Sequence, residues 1–76
     1  MIGGIIMDKY VIACRYNNGK LGFIFNLDPI IWVWECKNAK VYTDWDEVSN
    51  VFEENSSVFD KTISSTDISS IFIKPV

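Results

Sequence analysis

The chain contains no histidine. That removes the usual general base at neutral pH, the commonest metal ligand and the usual pH switch. Leucine is scarce: Leu21 and Leu27 stand beside eleven isoleucines and seven valines. β-Branched side chains suit a pleated, half-buried surface, so the composition argues for sheet over helix bundle. Arginine occurs once, as Arg15, and the six lysines are scattered. A phosphate-binding surface needs clustered Lys and Arg, which argues against nucleic-acid binding. The two cysteines, Cys14 and Cys36, have no CxxC spacing. A zinc site takes about four ligands of this kind, and a thiol nucleophile needs an activating base. Both are therefore expected as reduced, half-buried thiols, with a Cys14–Cys36 disulfide in a secreted protein as the rival that no signal peptide supports. Glycine is confined to Gly3, Gly4, Gly19 and Gly22, and none opens a phosphate-binding strand-to-helix loop. No Ser nucleophile elbow and no basic amphipathic helix is present.

The first residues, Met1-Ile2-Gly3-Gly4-Ile5-Ile6, are apolar. They lack a basic leading region and are too few to cross a membrane. Residues 1–7 are expected as a frayed extension or an extra edge strand, with Met7 a second candidate start. The expected location is the cytoplasm, that of a host cell if the chain is phage-encoded.

What is present points to one small domain spanning 1–76. With 49% hydrophobic, 14% aromatic and 22% charged residues, the chain is globular rather than disordered. A chain of this length buries only about 60% of its unfolded surface. The net charge of −3 is uneven. Lys9, Arg15 and Lys20 against Asp8 and Asp28 give +1 up to residue 34. Four lysines against eight carboxylates give −4 from residue 35. Between Lys40 and Lys61 lie Asp44, Asp46, Glu47, Glu53, Glu54 and Asp60, and no base.

Lys9–Tyr16 and Leu21–Leu27 alternate around Asn17-Asn18-Gly19-Lys20. Asn-Gly favours a two-residue type I′ turn. Centring the turn on Asn18-Gly19 places Cys14 opposite Phe23 and Ile12 opposite Phe25, all on one apolar face. Asp28-Pro29 ends the second strand. Ile30–Cys36 reads as a third strand, with Trp32, Trp34 and Cys36 pointing one way. A turn at Lys37-Asn38 leads into Ala39–Tyr42 as a fourth, pairing Trp34 with Val41 and Glu35 with Lys40.

Asp44-Trp45-Asp46-Glu47 has the pattern of a capping box, and Trp45, Val48, Val51 and Phe52 recur at helical spacing. This is the one expected helix, ending near Asn55. Eight of residues 56–70 are Ser or Thr. Here a short strand around Thr62 or a single helical turn around Asp67 is expected, before a final strand at Ile71–Ile73. The fold class is α+β: a small antiparallel sheet of about four to five strands, two hairpins plus a C-terminal strand, packed on one amphipathic helix in the order ββββαβ.

Asp44, Asp46 and Glu47 are explained by capping and the helix dipole, since paired-carboxylate catalysis needs two acids across a cleft. Glu53 and Glu54 are not so explained. They lie in the last turn, where the dipole disfavours negative charge, with no Lys or Arg three or four residues away. On a helical wheel, Asp46, Glu47, Asn50, Glu53 and Glu54 share the sector opposite the apolar one. The aromatics Tyr10, Tyr16, Phe23, Phe25, Trp32 and Trp34 serve mainly as core, with at least one Trp left partly exposed as an interface anchor.

The layout of residues 10–55, a short hairpin, a Trp-bearing strand, Ala-Lys-Val-Tyr and an acid-capped helix, resembles that of small proteins of bacteriophage and prophage genomes. The six-to-one ratio of Lys to Arg, with abundant Ile and Asn, suits such AT-rich genomes. The resemblance implies an accessory protein that works by binding, as phage inhibitors of host defence do, and it transfers no site residue. The expected function is a non-enzymatic protein-binding module, without cofactor or metal, that meets a basic partner surface. The residues expected to carry it are Asp46, Glu47, Asn50, Glu53, Glu54, Trp32 and Trp34. The alternatives are a self-associating homodimer, using an edge strand or the Trp face, and a weak single-strand nucleic-acid binder using sheet aromatics.

Overall fold

The computed structural model describes residues 9–76, so the expected role of residues 1–7 lies outside the described residues. The fold is α+β. Strands β1 (Tyr10–Tyr16), β2 (Leu21–Leu27), β3 (Ile30–Val33) and β4 (Ile68–Pro75) form one antiparallel sheet in the order β3-β2-β1-β4. Helices α1 (Trp45–Glu54) and α2 (Ser56–Ser65) lie between β3 and β4 in sequence.

The first hairpin has the expected strands but a different register. Ala13, not Cys14, faces Phe23, and Cys14 faces Gly22. Cys14 and Phe23 therefore point to opposite faces. The cause is the turn. Gly19 is the only described residue at positive φ, +88°, whereas a type I′ turn needs two. Tyr16 N–H donates to Lys20 O (2.8 Å) and Gly19 N–H to Tyr16 O (2.9 Å). Three residues, 17–19, make the connection, the arrangement in which a glycine follows a tight turn.

β1 is a central strand, and it is buried on both faces. Ile12 and Ile24 join Tyr42, Val48 and Phe59 in the larger cluster, under the helices. Val11, Ala13 and Phe23 form a second cluster on the other face, with Cys36, Ala39 and Phe72 against it. The expected common direction of Trp32, Trp34 and Cys36 is thus broken. β3 stops at Val33, and the chain turns through a short 3-10 helix, Cys36–Asn38, that carries Cys36 to the second face.

Ala39–Tyr42 is not a fourth strand paired with β3. Lys40 N–H donates to Ile24 O on β2 (2.8 Å), and Tyr42 exchanges two 2.8 Å backbone bonds with Tyr10 on β1. The segment enters between β1 and β2 where they part, which fixes the entry to α1 two residues later.

α1 forms as its spacing predicts. Asp44 caps it by accepting from Asp46 N–H at 3.3 Å; a return bond from Glu47 is not among the bonds of the described residues. Val48 is buried, and Val51 and Phe52 pack on the core. The second helix replaces the expected strand or single turn within 56–70. Its hydroxyls return to the helix backbone: Thr62 donates to Val58 O, Ser65 to Lys61 O and Thr66 to Thr62 O. Such bonding satisfies Ser and Thr inside a helix that their propensity disfavours. Phe59 anchors α2 against Phe52, ring centroids 5.2 Å apart.

Tyr42 is 4% exposed, and its hydroxyl has no hydrogen-bond partner. Burial, and then the negative charge of Glu47, push its phenol above the ordinary range. Leaving a buried hydroxyl unpaired costs about 1–3 kcal/mol, so Tyr42→Phe is expected to stabilise the fold by about 1 kcal/mol in urea titrations. The raised pKa fixes the sign of its pH effect. Titration of Tyr42 leaves stability unchanged below the unfolded-state phenol pKa of about 10 and lowers it as pH rises from there toward the folded value. Burial also raises Cys14 above its ordinary 9.0, so both groups weaken the fold in alkali. The phenylalanine variant should lose less stability than the parent above about pH 10.

Candidate functional site

Asp46, Glu47, Asn50, Glu53 and Glu54 are all exposed on α1. Asn50, Glu53 and Glu54 line a surface hollow of about 340 Å³. The sole ion pair among the described residues is Lys37 Nζ–Glu35 Oε2 at 3.5 Å, on the 3-10 turn. The dipole objection to Glu53 and Glu54 is eased by the second helix. α2 starts at Ser56, so the negative end of α1 abuts the positive end of the next helix. Asn55 joins them, its side-chain amide donating to Val51 O at 2.8 Å.

The tryptophans are placed apart from this face and from each other. Trp32 faces Ile24 across the ladder and packs against the core under the helices. Trp34, 64% exposed, rests on Tyr16, ring centroids 5.3 Å apart and planes tilted by 40°. Trp45, expected on the apolar face of α1, meets Tyr10 edge-on at 5.4 Å but is 52% exposed. Tyr10 and Tyr16 are six residues apart on β1, so Trp45 and Trp34 mark opposite ends of a strand about 20 Å long.

Tyr16, which meets Trp34, lies over Gly22. A Cβ on Gly22 would lie 3.0 Å from Cys14 Sγ, 3.0 Å from Tyr16 Cε2 and 3.2 Å from Tyr16 Oη. Burial is also the main cause that raises Tyr16 above its ordinary pKa. Tyr16, Asn17, Asn18, Trp34 and Asp67 line a hollow of about 360 Å³. Asp67 is held there through its backbone, since Asn17 N–H donates to Asp67 O at 2.7 Å. Sequence reasoning missed Asp67, which reaches the turn only because α2 delivers it there.

The six sheet aromatics do not share a face: Phe23 belongs to the second cluster, while Trp32 packs under the helices. Cys14 and Cys36 are free thiols. Among the described residues no three His, Cys, Asp or Glu side chains are grouped to hold a metal ion, and no helix is long and apolar enough to cross a membrane. No protein-family model matches the chain, and neither a curated protein nor a solved structure shows significant similarity to it.

Proposed function

We propose that the protein is a non-enzymatic binding module that docks a basic partner surface through the outer face of α1. The observation that carries this reading is the exposure of Asp46, Glu47, Glu53 and Glu54 on one short helix, with no ion pair to any of them among the described residues. Such a face creates a negative field that speeds encounter with a basic surface. A row of carboxylates can occupy a groove built for phosphates, which fits an accessory inhibitor of phage type acting in a host cytoplasm. Cys14 supports a non-catalytic reading: it is fully buried and its thiol is pushed up by that burial, the reverse of what a nucleophile needs.

The test begins with affinity capture from the source cell to obtain a purified partner. The parent and a variant with Asp46, Glu47, Glu53 and Glu54 changed to Lys are then titrated with it. The variant should fold within about 1–2 kcal/mol of the parent, because exposed charges contribute little. Its affinity should fall at least about tenfold, and the parent's should weaken as salt rises. Equal binding by parent and variant would reduce the acidic face to solvated surface. Self-association is the second reading, favoured by β4, which pairs only with β1 among the described residues and so presents an edge. An apolar dimer of that kind keeps its mass as ionic strength rises.

A further inference from the structure

We propose that the hollow between Tyr16, Trp34 and Asp67 is a guanidinium site, which takes an arginine side chain of a partner protein. It lies apart from the α1 face and stands without it. Its walls supply two kinds of group. Trp34 and Tyr16 offer aromatic faces, and Trp34 keeps 64% of its surface in water even though it leans on Tyr16. Asp67, Asn17 and Asn18 offer a carboxylate and two amides around the same 360 Å³ hollow, and no cation lines it.

The site is built rather than incidental. Gly22 supplies the space in which Tyr16 lies across the sheet. Asn18 is fixed by accepting from Lys20 N–H at 3.0 Å. Asp67 is fixed by the bond from Asn17 N–H on one side and by Thr66 Oγ1, which accepts from Ile68 N–H at 3.3 Å, on the other. The exposed Asp67 carboxylate has no ion pair among the described residues.

This combination selects a planar cation. A guanidinium stacks on an aromatic face while its in-plane N–H groups reach carboxylate and amide acceptors. A quaternary ammonium has no donors, so it would leave Asp67 and the amides unpaired. A lysine ammonium binds as a strongly hydrated point charge and gains less from a flat ledge. A hollow of this size is at the small end of ligand pockets, about 300–1,000 Å³, which suits one side chain better than a cofactor.

The test uses three capped tripeptides, Gly-Arg-Gly, Gly-citrulline-Gly and Gly-Lys-Gly, titrated into the protein and followed by amide and indole N–H NMR shifts. The arginine peptide should produce saturable shifts at the Trp34 indole and the Asp67 amide. The neutral citrulline peptide should not, and the lysine peptide should bind more weakly. Asp67→Asn should lower the arginine affinity about fivefold and Trp34→Ala about tenfold; Asp67→Asn is a surface change that keeps the fold if Trp34→Ala does not. The variant with four lysines on α1 should keep the arginine shifts, whatever becomes of partner binding through that helix. Citrulline shifts equal to those of arginine, a lysine peptide that binds as well, or shifts confined to α1 would each overturn the proposal.

Discussion

Phe59→Ala is expected to lower stability by about 3–5 kcal/mol and to leave the domain largely unfolded at moderate temperature. Phe59 is 2% exposed and joins Ile12, Ile24, Tyr42 and Val48 in the larger cluster. Its ring also meets Phe52 at 5.2 Å, so its loss removes the contact that fastens α2 to α1. A chain of this size is stable by roughly 4–11 kcal/mol, so one cavity consumes a large share. The melting temperature should fall by about 12–40 °C, since each kcal/mol moves it by about 4–8 °C in small domains. Val58→Ala is the control. Val58, the neighbour of Phe59 in sequence, is 42% exposed, and truncation there should change stability by no more than about 0.5 kcal/mol. Thermal melts followed by circular dichroism compare the two. Equal effects at 58 and 59 would show that α2 does not present Phe59 to the core.

Gly22→Val should destabilise by about 1–3 kcal/mol, the usual cost of overfilling a packed site. Strand propensity gives the opposite sign, because valine suits a sheet and glycine does not. The deciding fact is local. A Cβ at 22 meets Cys14 Sγ and Tyr16 Cε2 at 3.0 Å, and valine adds two methyl groups to it. Cys14 is fully buried and has nowhere to go, while Tyr16 must swing out and leave Trp34. Urea titration should show the stability loss, and ring-current shifts should vanish from the Trp34 indole. Adding Tyr16→Ala removes one of the two clashing groups, so the double variant should recover part of the loss, as a double-mutant cycle reads directly. Additive losses from the two changes would place the tyrosine ring elsewhere.

The register of the same hairpin was hard to read in the sequence. Alternation placed the hairpin strands within a residue of their observed limits but not their register. Register is legible when one face is apolar and the other polar. Here Val11, Ala13 and Ile24 are buried as completely as Ile12 and Cys14, because β1 is covered on both faces. With both patterns apolar, the turn alone decided, and Asn18 did not take the positive φ that a type I′ turn assigns to it. The acids of α1 were legible because a helical wheel needs only spacing. α2 was obscured by serine and threonine, although Val58, Phe59, Thr62 and Ile63 keep helical spacing. The Trp34 hollow was beyond reach for a different reason. It joins residues from the first turn, the end of β3 and the end of α2, and no local pattern links them.

The seam formed by Lys40 and Tyr42 bears on how a partner would be met. α1 begins just after Tyr42, whose backbone is tied twice to the central strand, and Lys40 is tied to β2. The helix is thus mounted on the hydrogen-bond ladder of the sheet as well as on side-chain packing. Tilting it would break main-chain bonds as well as apolar contacts. A surface held this way has little motion to surrender, so a complex formed through it would be close to the docking of two rigid bodies. The usual cost of ordering loops would then be small, and the rate of encounter would be left to charge and diffusion.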